Sequence, residues 1–144
     1  MNISPILAPA AILVLWSLVV LLWLAATRFP AFAKAGITLG NAPRGGRYVD
    51  IEKDMPQQVN WVSHNYTHLM EQPTIFYAVV AILALSGDTS GVNLAAAWAY
   101  TALRIVHSLW QGLVNIIVVR MVLFLLSTFC LWVLAINAVT RTVF

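Results

Sequence analysis

Charged residues are scarce in this 144-residue chain: eight Lys or Arg and five Asp or Glu make up 9% of it. Hydrophobic residues contribute 61%, and the mean hydropathy is +0.85. This composition excludes an ordinary soluble domain, whose surface carries far more charge. The net charge of +3 comes from basic residues that flank apolar runs, a topology signal, and no nucleic-acid-binding module is present. The composition therefore predicts an integral membrane protein embedded in a lipid bilayer.

Cysteine is also nearly absent, because Cys130 is the only one. No intrachain disulfide is possible, and the apolar run around Cys130 predicts an inert thiol, since reactive thiolates need an electropositive, partly wet site. The chain also has no phosphate-binding loop, dinucleotide fingerprint, HExxH motif or serine-nucleophile elbow. Any thiol chemistry would therefore need a thiol supplied by a ligand.

Four long apolar runs, at about residues 6–26, 61–86, 94–114 and 120–139, are each long enough to cross a bilayer as a helix. They predict an all-α, single-domain membrane protein covering residues 1–144. The segment 28–58 holds five of the eight Lys or Arg residues, which places this loop in the cytoplasm and both termini outside. We therefore expect a multi-pass protein of the cell inner membrane.

Within that loop, Asn41–Arg47 combines turn-forming residues with two arginines. Such a segment could form a backbone nest that holds an anion. We favour the simpler interpretation, in which the loop is solvated and its basic residues contact acidic lipid.

Polar residues interrupt the predicted spans, where they are expensive and usually functional. The second span carries two histidines and a glutamate on one helical face, the third carries an arginine and a histidine on one face, and an arginine opens the fourth. At a rise of 1.5 Å per residue, Glu71 of the second span and Arg104 of the third should lie at the same depth in the bilayer. This predicts an ion pair between them. The polar residues in or at the ends of these spans, which could together form one site, are His64, Asn65, His68, Glu71, Arg104, His107, Gln111, Asn115 and Arg120.

The spacing of His64, His68 and Glu71 could also present three metal ligands from one helix face. Only His107 could add a ligand from another helix, and Arg104 would repel a cation. Histidines bonded within a buried polar network are the commoner outcome. We therefore predict no metal site, and keep a metal or lipid-quinone binder as a third hypothesis.

The segment from Asn65 to Tyr77, NYTHLMEQPTIFY, followed by Arg104-Ile-Val-His107 and by Arg120, resembles the MAPEG family, the membrane-associated proteins in eicosanoid and glutathione metabolism. The resemblance covers most of the chain. It implies a left-handed four-helix bundle, a homotrimer, and glutathione sites between neighbouring subunits that open toward the cytoplasm.

In the glutathione-using members of that family, the second helix is similar to Arg-x-x-x-Asn-x-x-Glu. When Glu71 is placed on this glutamate, His68 falls on the asparagine and His64 on the arginine. Glu71 therefore matches the family pattern, whereas the two histidines depart from it.

Gln111-Gly112 and Arg120 resemble the Gln-Gly pair and the thiolate-stabilising arginine of the leukotriene-synthase branch, at the same separation. Leu109 and Leu113 stand where that branch has tyrosines that contact glutathione. The chain is thus similar to a divergent, bacterial member of the family that keeps the thiolate arginine.

Our first hypothesis from the sequence is a trimeric protein that uses glutathione as co-substrate, as a transferase or peroxidase acting on a lipophilic electrophile. Arg120 would stabilise the thiolate, and the polar residues of the second and third spans would hold the ligand. The alternative hypothesis is a non-enzymatic trimeric scaffold or accessory subunit of a membrane complex, in which these polar residues serve helix packing alone.

Overall fold

The computed structural model describes residues 3–38, 40–41 and 44–144, and in that part the chain is helical with no strand. The long helices are α1 (Leu7–Lys34), α3 (Gln57–Leu85), α4 (Gly91–Leu113) and α5 (Ile117–Val143). A short helix α2 (Tyr48–Ile51) and a 3₁₀ turn (Glu52–Asp54) lie in the loop between α1 and α3. The all-α prediction is confirmed.

Three of these helices, α1, α3 and α5, are long and apolar enough to cross a membrane. They contain the predicted spans at about 6–26, 61–86 and 120–139. The predicted span at 94–114 falls on α4, which has 23 residues, carries Arg104, His107 and Gln111, and is not one of these three helices. That α4 also crosses the bilayer stays a prediction.

The outer faces of the long helices support a bilayer environment. Large apolar side chains stand exposed on α1 and α5, such as Leu22 (71% exposed) and Phe129 (69% exposed). In water such continuous apolar faces would drive aggregation, whereas lipid tails solvate them at no cost. The chain is therefore an integral membrane protein.

The interior is built where α4 packs against all three apolar helices and α1 packs against α3. Phe76 of α3 and Tyr100 of α4 are fully buried and stack, with ring centroids 4.2 Å apart. At the other end of α4, Gly112 lies against the ring of Trp23 in α1, where an added Cβ would come within 2.8 Å of Cζ3. A residue without a side chain thus lets α1 and α4 approach closely.

The turn after α3 ends that helix in a Schellman motif. Gly87 has φ +70, its N–H donates to the carbonyl of Ala84, and the N–H of Asp88 donates to the carbonyl of Leu83. Glycine adopts this left-handed conformation without a steric cost. The motif turns the chain back toward α4 and leaves Asp88 beside the helix ends.

The connection from α4 to α5 consists of Val114, Asn115 and Ile116. Asn115 has φ +59, the one positive φ among the described residues that are not glycine. Its N–H donates to the carbonyl of Trp110 over 2.8 Å, which closes the end of α4. This tight connection brings the start of α5 next to the last turn of α4.

Candidate functional site

A cleft of about 420 Å³ lies where α3, α4 and the first turns of α5 meet. Its polar lining comes from one residue of each helix, and its apolar lining comes from α5. The lining residues are His68, His107, Ile117, Arg120, Met121 and Phe124. We refer to it as the histidine–arginine cleft.

His68 joins α3 to α4 at this cleft. Its Nδ1 lies 3.0 Å from Oε1 of Gln111, and an amide oxygen accepts, so Nδ1 donates in this pair. Its ring centroid is 6.2 Å from that of His107, the other histidine of the cleft. Gln111 is fully buried, and its Nε2 has no hydrogen-bond partner in the protein. The hydrogen bond orients the ring of His68 at the cleft, and Nε2 of Gln111 remains a donor without a partner.

Arg104 lies behind the cleft and is only 1% exposed. Its Nη2 donates to the carbonyl of His68 over 2.7 Å, and its guanidinium carbon is 5.9 Å from the ring centre of Phe124. Its Nε and Nη1 atoms have no protein partner. Arg104 is thus a buried cation that keeps unused donors.

The predicted ion pair between Glu71 and Arg104 is wrong. Glu71 is exposed, and no ion pair within 4.0 Å joins it to Arg104. Each residue turns a helix by about 100°, so the packing that brings the carbonyl of His68 to the guanidinium of Arg104 turns the side chain of Glu71 away from it. Arg104 therefore has no carboxylate partner in the described part of the chain.

Arg120 lies in the first turn of α5 and is half-buried in the cleft lining. Its Nη1 donates to Oδ1 of Asn115 over 2.6 Å, while its Nε has no protein partner. The first turn of a helix carries a partial positive charge, which adds to that of the guanidinium. Asn115 contacts Arg120 and is not part of the cleft lining.

The other predicted site residues of α3 lie elsewhere. His64 is exposed, contacts the carboxylate of Glu52, and borders a second cavity of about 430 Å³ under the loop. Asn65 is fully buried, and neither of its side-chain polar atoms has a partner. Within the described residues, no three His, Cys, Asp or Glu side chains converge as metal ligands. Of the predicted α3 residues, the structure thus brings only His68 to the cleft.

The second cavity is closed by a cluster that sequence reasoning missed. Arg28 donates to Oγ of Ser63 over 2.6 Å, and its guanidinium carbon lies 3.9 Å above the ring of Tyr48. The hydroxyl of Tyr48 donates to Oδ1 of Asn60 over 2.5 Å, and burial raises the pKa of Tyr48. The cluster fastens α2 to the ends of α1 and α3. Only the position of Arg28 at the end of an apolar run could have signalled it.

Part of the predicted anion nest lies outside the described residues, because Asn41–Arg47 includes residues 42 and 43. Arg47 is exposed and contacts Asp50, its neighbour in α2, at 3.8 Å. That a nest forms stays a prediction.

A second polar cluster, also missed, lies at the opposite end of α4 and α5; we refer to it as the far-end cluster. Asp88 accepts from Arg141 at 2.8 Å and from Nδ2 of Asn93 at 3.0 Å. Nδ2 of Asn137 donates to Oδ1 of Asn93 over 2.6 Å. The side chain of Asp88 is only 1% exposed, so these contacts satisfy a buried carboxylate. Asp88 stands in the turn after the second predicted span, where the sequence indicates only a polar loop.

The long apolar helices and their exposed apolar faces define a helical integral membrane protein, and its polar cleft lies between α3, α4 and α5. The model of the MAPEG family matches residues 6–140, nearly the whole chain, and the chain belongs to that family. This confirms the resemblance on which the sequence predictions rest. No curated protein and no solved structure matches the chain.

Proposed function

We propose that this chain is a MAPEG enzyme that binds glutathione as co-substrate and either joins it through its sulfur to a lipophilic electrophile or uses it to reduce a lipophilic hydroperoxide. The observation that carries the proposal is the histidine–arginine cleft. Its lining offers Arg120, His68 and His107 and includes no carboxylate among the described residues. A site of this kind favours an anionic ligand.

The electrostatics of the cleft support a thiolate. Arg120 stands in the first turn of α5, so its charge and the positive helix end act in the same direction. A cation within about 4–6 Å lowers a thiol pKa and favours thiolate, the reactive form. Arg104 contributes a second buried positive charge behind the cleft. Arg120 would therefore stabilise the bound sulfur in its nucleophilic form.

The apolar lining of the cleft supports a lipophilic second substrate. Ile117, Met121 and Phe124 line it beside Arg120, on a helix whose outer face is exposed to lipid. In transfer, the thiolate sulfur would form a bond to an electrophilic carbon while the leaving group departs with the bonding electron pair. In peroxidase chemistry, the sulfur would take the terminal oxygen of a hydroperoxide and release an alcohol, and a second thiol would complete the reduction.

We further propose that the chain forms a left-handed four-helix bundle and a homotrimer in the cell inner membrane. In this arrangement the loop 28–58 lies in the cytoplasm and both termini lie outside. Family membership supports the assembly, and so does Glu71, a carboxylate exposed in the middle of an apolar helix of the single chain. A neighbouring subunit would cover it and bring it close to a ligand.

A specific observation favours the alternative, a non-enzymatic scaffold or accessory subunit. Several intramembrane polar groups are used to join helices: His68 pairs with Gln111, Nε2 of Gln72 donates to Thr128 over 2.8 Å, and the indole of Trp16 donates to Ser108 over 3.0 Å. Such bonds stabilise helix packing without any ligand. The scaffold hypothesis predicts that the purified protein assembles fully and binds no thiol.

Calorimetric titration of glutathione into the detergent-purified protein tests the proposal. We expect saturable binding in the wild type, loss of binding in Arg120→Ala, and wild-type binding in Lys34→Ala, which removes an exposed cation at the end of α1. Conjugation of an aryl halide and reduction of a lipophilic hydroperoxide should follow the same order. A folded wild type that releases no heat at millimolar glutathione would support the scaffold instead.

A further inference from the structure

We infer that Asn115 is a positioning residue, whose side chain sets how Arg120 presents its guanidinium to the cleft. The inference rests on the proposed function, in which Arg120 meets the glutathione sulfur. Oδ1 of Asn115 accepts a hydrogen bond from Nη1 of Arg120 over 2.6 Å. In the described part of the chain, no other side chain hydrogen-bonds to Arg120. This places Asn115 behind the charge and outside the reacting atoms.

The backbone of Asn115, from which the carboxamide extends, is fixed at the end of α4. Asn115 has φ +59, and its N–H is fixed on the carbonyl of Trp110 at the end of α4. Glycine adopts this conformation freely, and asparagine is among the few other residues that tolerate it. The turn by itself would be served by glycine. The contact with Arg120 is what the carboxamide adds.

Arg120 needs such a partner because a free arginine side chain samples many rotamers and must lose that freedom to hold a ligand. Arg120 also lies at the positive end of α5, and this partial charge repels the guanidinium toward solvent. Asn115 holds one N–H of Nη1, whereas Nε is buried and has no protein partner. Restraining the guanidinium before the ligand arrives removes an ordering cost from the bound state.

The chemistry of the acceptor matters as well. A carboxamide oxygen orients the guanidinium without cancelling its charge, whereas a carboxylate would neutralise it and weaken its effect on a thiol. Asn115 therefore leaves the full positive charge of Arg120 to act on the sulfur. In Asn115→Asp, the side chain can still accept a hydrogen bond from the guanidinium, but its negative charge cancels that of Arg120.

The test measures the pKa of glutathione bound to the purified protein, from the ultraviolet absorbance of the thiolate as pH is raised. The proteins compared are the wild type, Asn115→Gly, Asn115→Asp and Arg120→Ala. We expect a lowered thiol pKa in the wild type and a rise of about one unit in Asn115→Gly, which keeps the backbone conformation. Asn115→Asp should raise it at least as far. Glutathione affinity should fall less in Asn115→Gly, which loses only the restraint on the guanidinium, than in Arg120→Ala, which loses the cation itself.

The outcomes separate the two proposals. If the wild type binds no glutathione, or its thiol pKa equals that in Arg120→Ala, the proposed function fails and the role of Asn115 fails with it. If Arg120→Ala abolishes the lowered pKa but Asn115→Gly keeps it, only the positioning inference is overturned. Melting temperatures check that each variant is folded, and if the glycine variant is not, Asn115→Ala decides, because it also removes the carboxamide: an unchanged thiol pKa there overturns the inference.

Discussion

The two ends of α4 and α5 carry polar clusters of opposite design. In the far-end cluster, Arg141 meets the carboxylate of Asp88 at 2.8 Å, and Asn93 shares the same acid. At the cleft, Arg104 hydrogen-bonds only to a backbone carbonyl, and its Nε and Nη1 atoms have no partner, although it is 1% exposed. One cluster satisfies its charges within the protein, and the other does not.

This difference separates stability from function. A charge that has its counter-ion in the folded chain stabilises the fold against separation of the helices, because breaking the pair leaves a buried charge alone. A buried cation without a counter-ion lowers stability, and such sites persist where a ligand completes them. The far-end cluster therefore stabilises the helix ends, and we refer to it as the clasp. The cleft is the candidate binding site.

The largest effect is expected at the clasp. Asp88→Ala removes an acceptor shared by Arg141 and Asn93, and we expect it to lower the free energy of unfolding by about 2–4 kcal/mol. Chemical denaturation in detergent, followed by circular dichroism, measures this. Asp54→Ala, which removes an exposed acid of the loop, should change it by less than about 0.5 kcal/mol. Equal stability of the two variants would show that the clasp does not hold the helices.

Gly112→Ala probes the packing of α4 against α1. The added Cβ would overlap the Trp23 ring, and we expect a loss of about 1–3 kcal/mol in the same denaturation experiment. Gly91→Ala on the same helix meets nothing within 4 Å and should be neutral or stabilising. Trp23→Leu should relieve part of the loss when combined with Gly112→Ala, and strict additivity would contradict the overlap.

Arg104→Met tests the unsatisfied charge and should act in the opposite direction to Asp88→Ala. An apolar side chain of similar length removes an uncompensated cation, so we expect stability to be unchanged or raised by up to about 1–2 kcal/mol. Glutathione affinity should fall in calorimetry at the same time, since a positive charge is lost behind the cleft. If Arg104→Met destabilised the protein as much as Asp88→Ala, the charge of Arg104 would be as well satisfied within the protein as that of Asp88.

The smallest effect is expected at the loop. His64 contacts Glu52 on an exposed surface, and such pairs contribute about 0–1 kcal/mol. His64→Gln should leave global unfolding nearly unchanged but should speed cleavage by trypsin at Arg47 and Lys53 in the loop. Glu52→Gln should have the same effect, and the double variant should add nothing further. Unchanged cleavage in every variant would mean that this contact does not hold the loop.

The residues of the cleft were found from the sequence more readily than their partners. His68, His107 and Arg120 stood out because polar residues in an apolar run are costly and therefore informative. The role of Asn115 as a partner of Arg120 did not, because nothing in the order of residues predicts a positive φ at a non-glycine position. The far-end cluster was missed because Asp88 and Arg141 lie 53 positions apart, in segments that look like ordinary turns and tails.

The sequence by itself determined the membrane class, the helical fold and the family, because composition and the spacing of apolar runs can be read from the order of residues alone. Only the tertiary structure decided which polar groups meet. Depth alone predicted that Glu71 would pair with Arg104, but each residue also turns the helix by about 100°. The rotation of one helix against the next is set by packing, which brought Arg104 to the carbonyl of His68 and left Glu71 exposed.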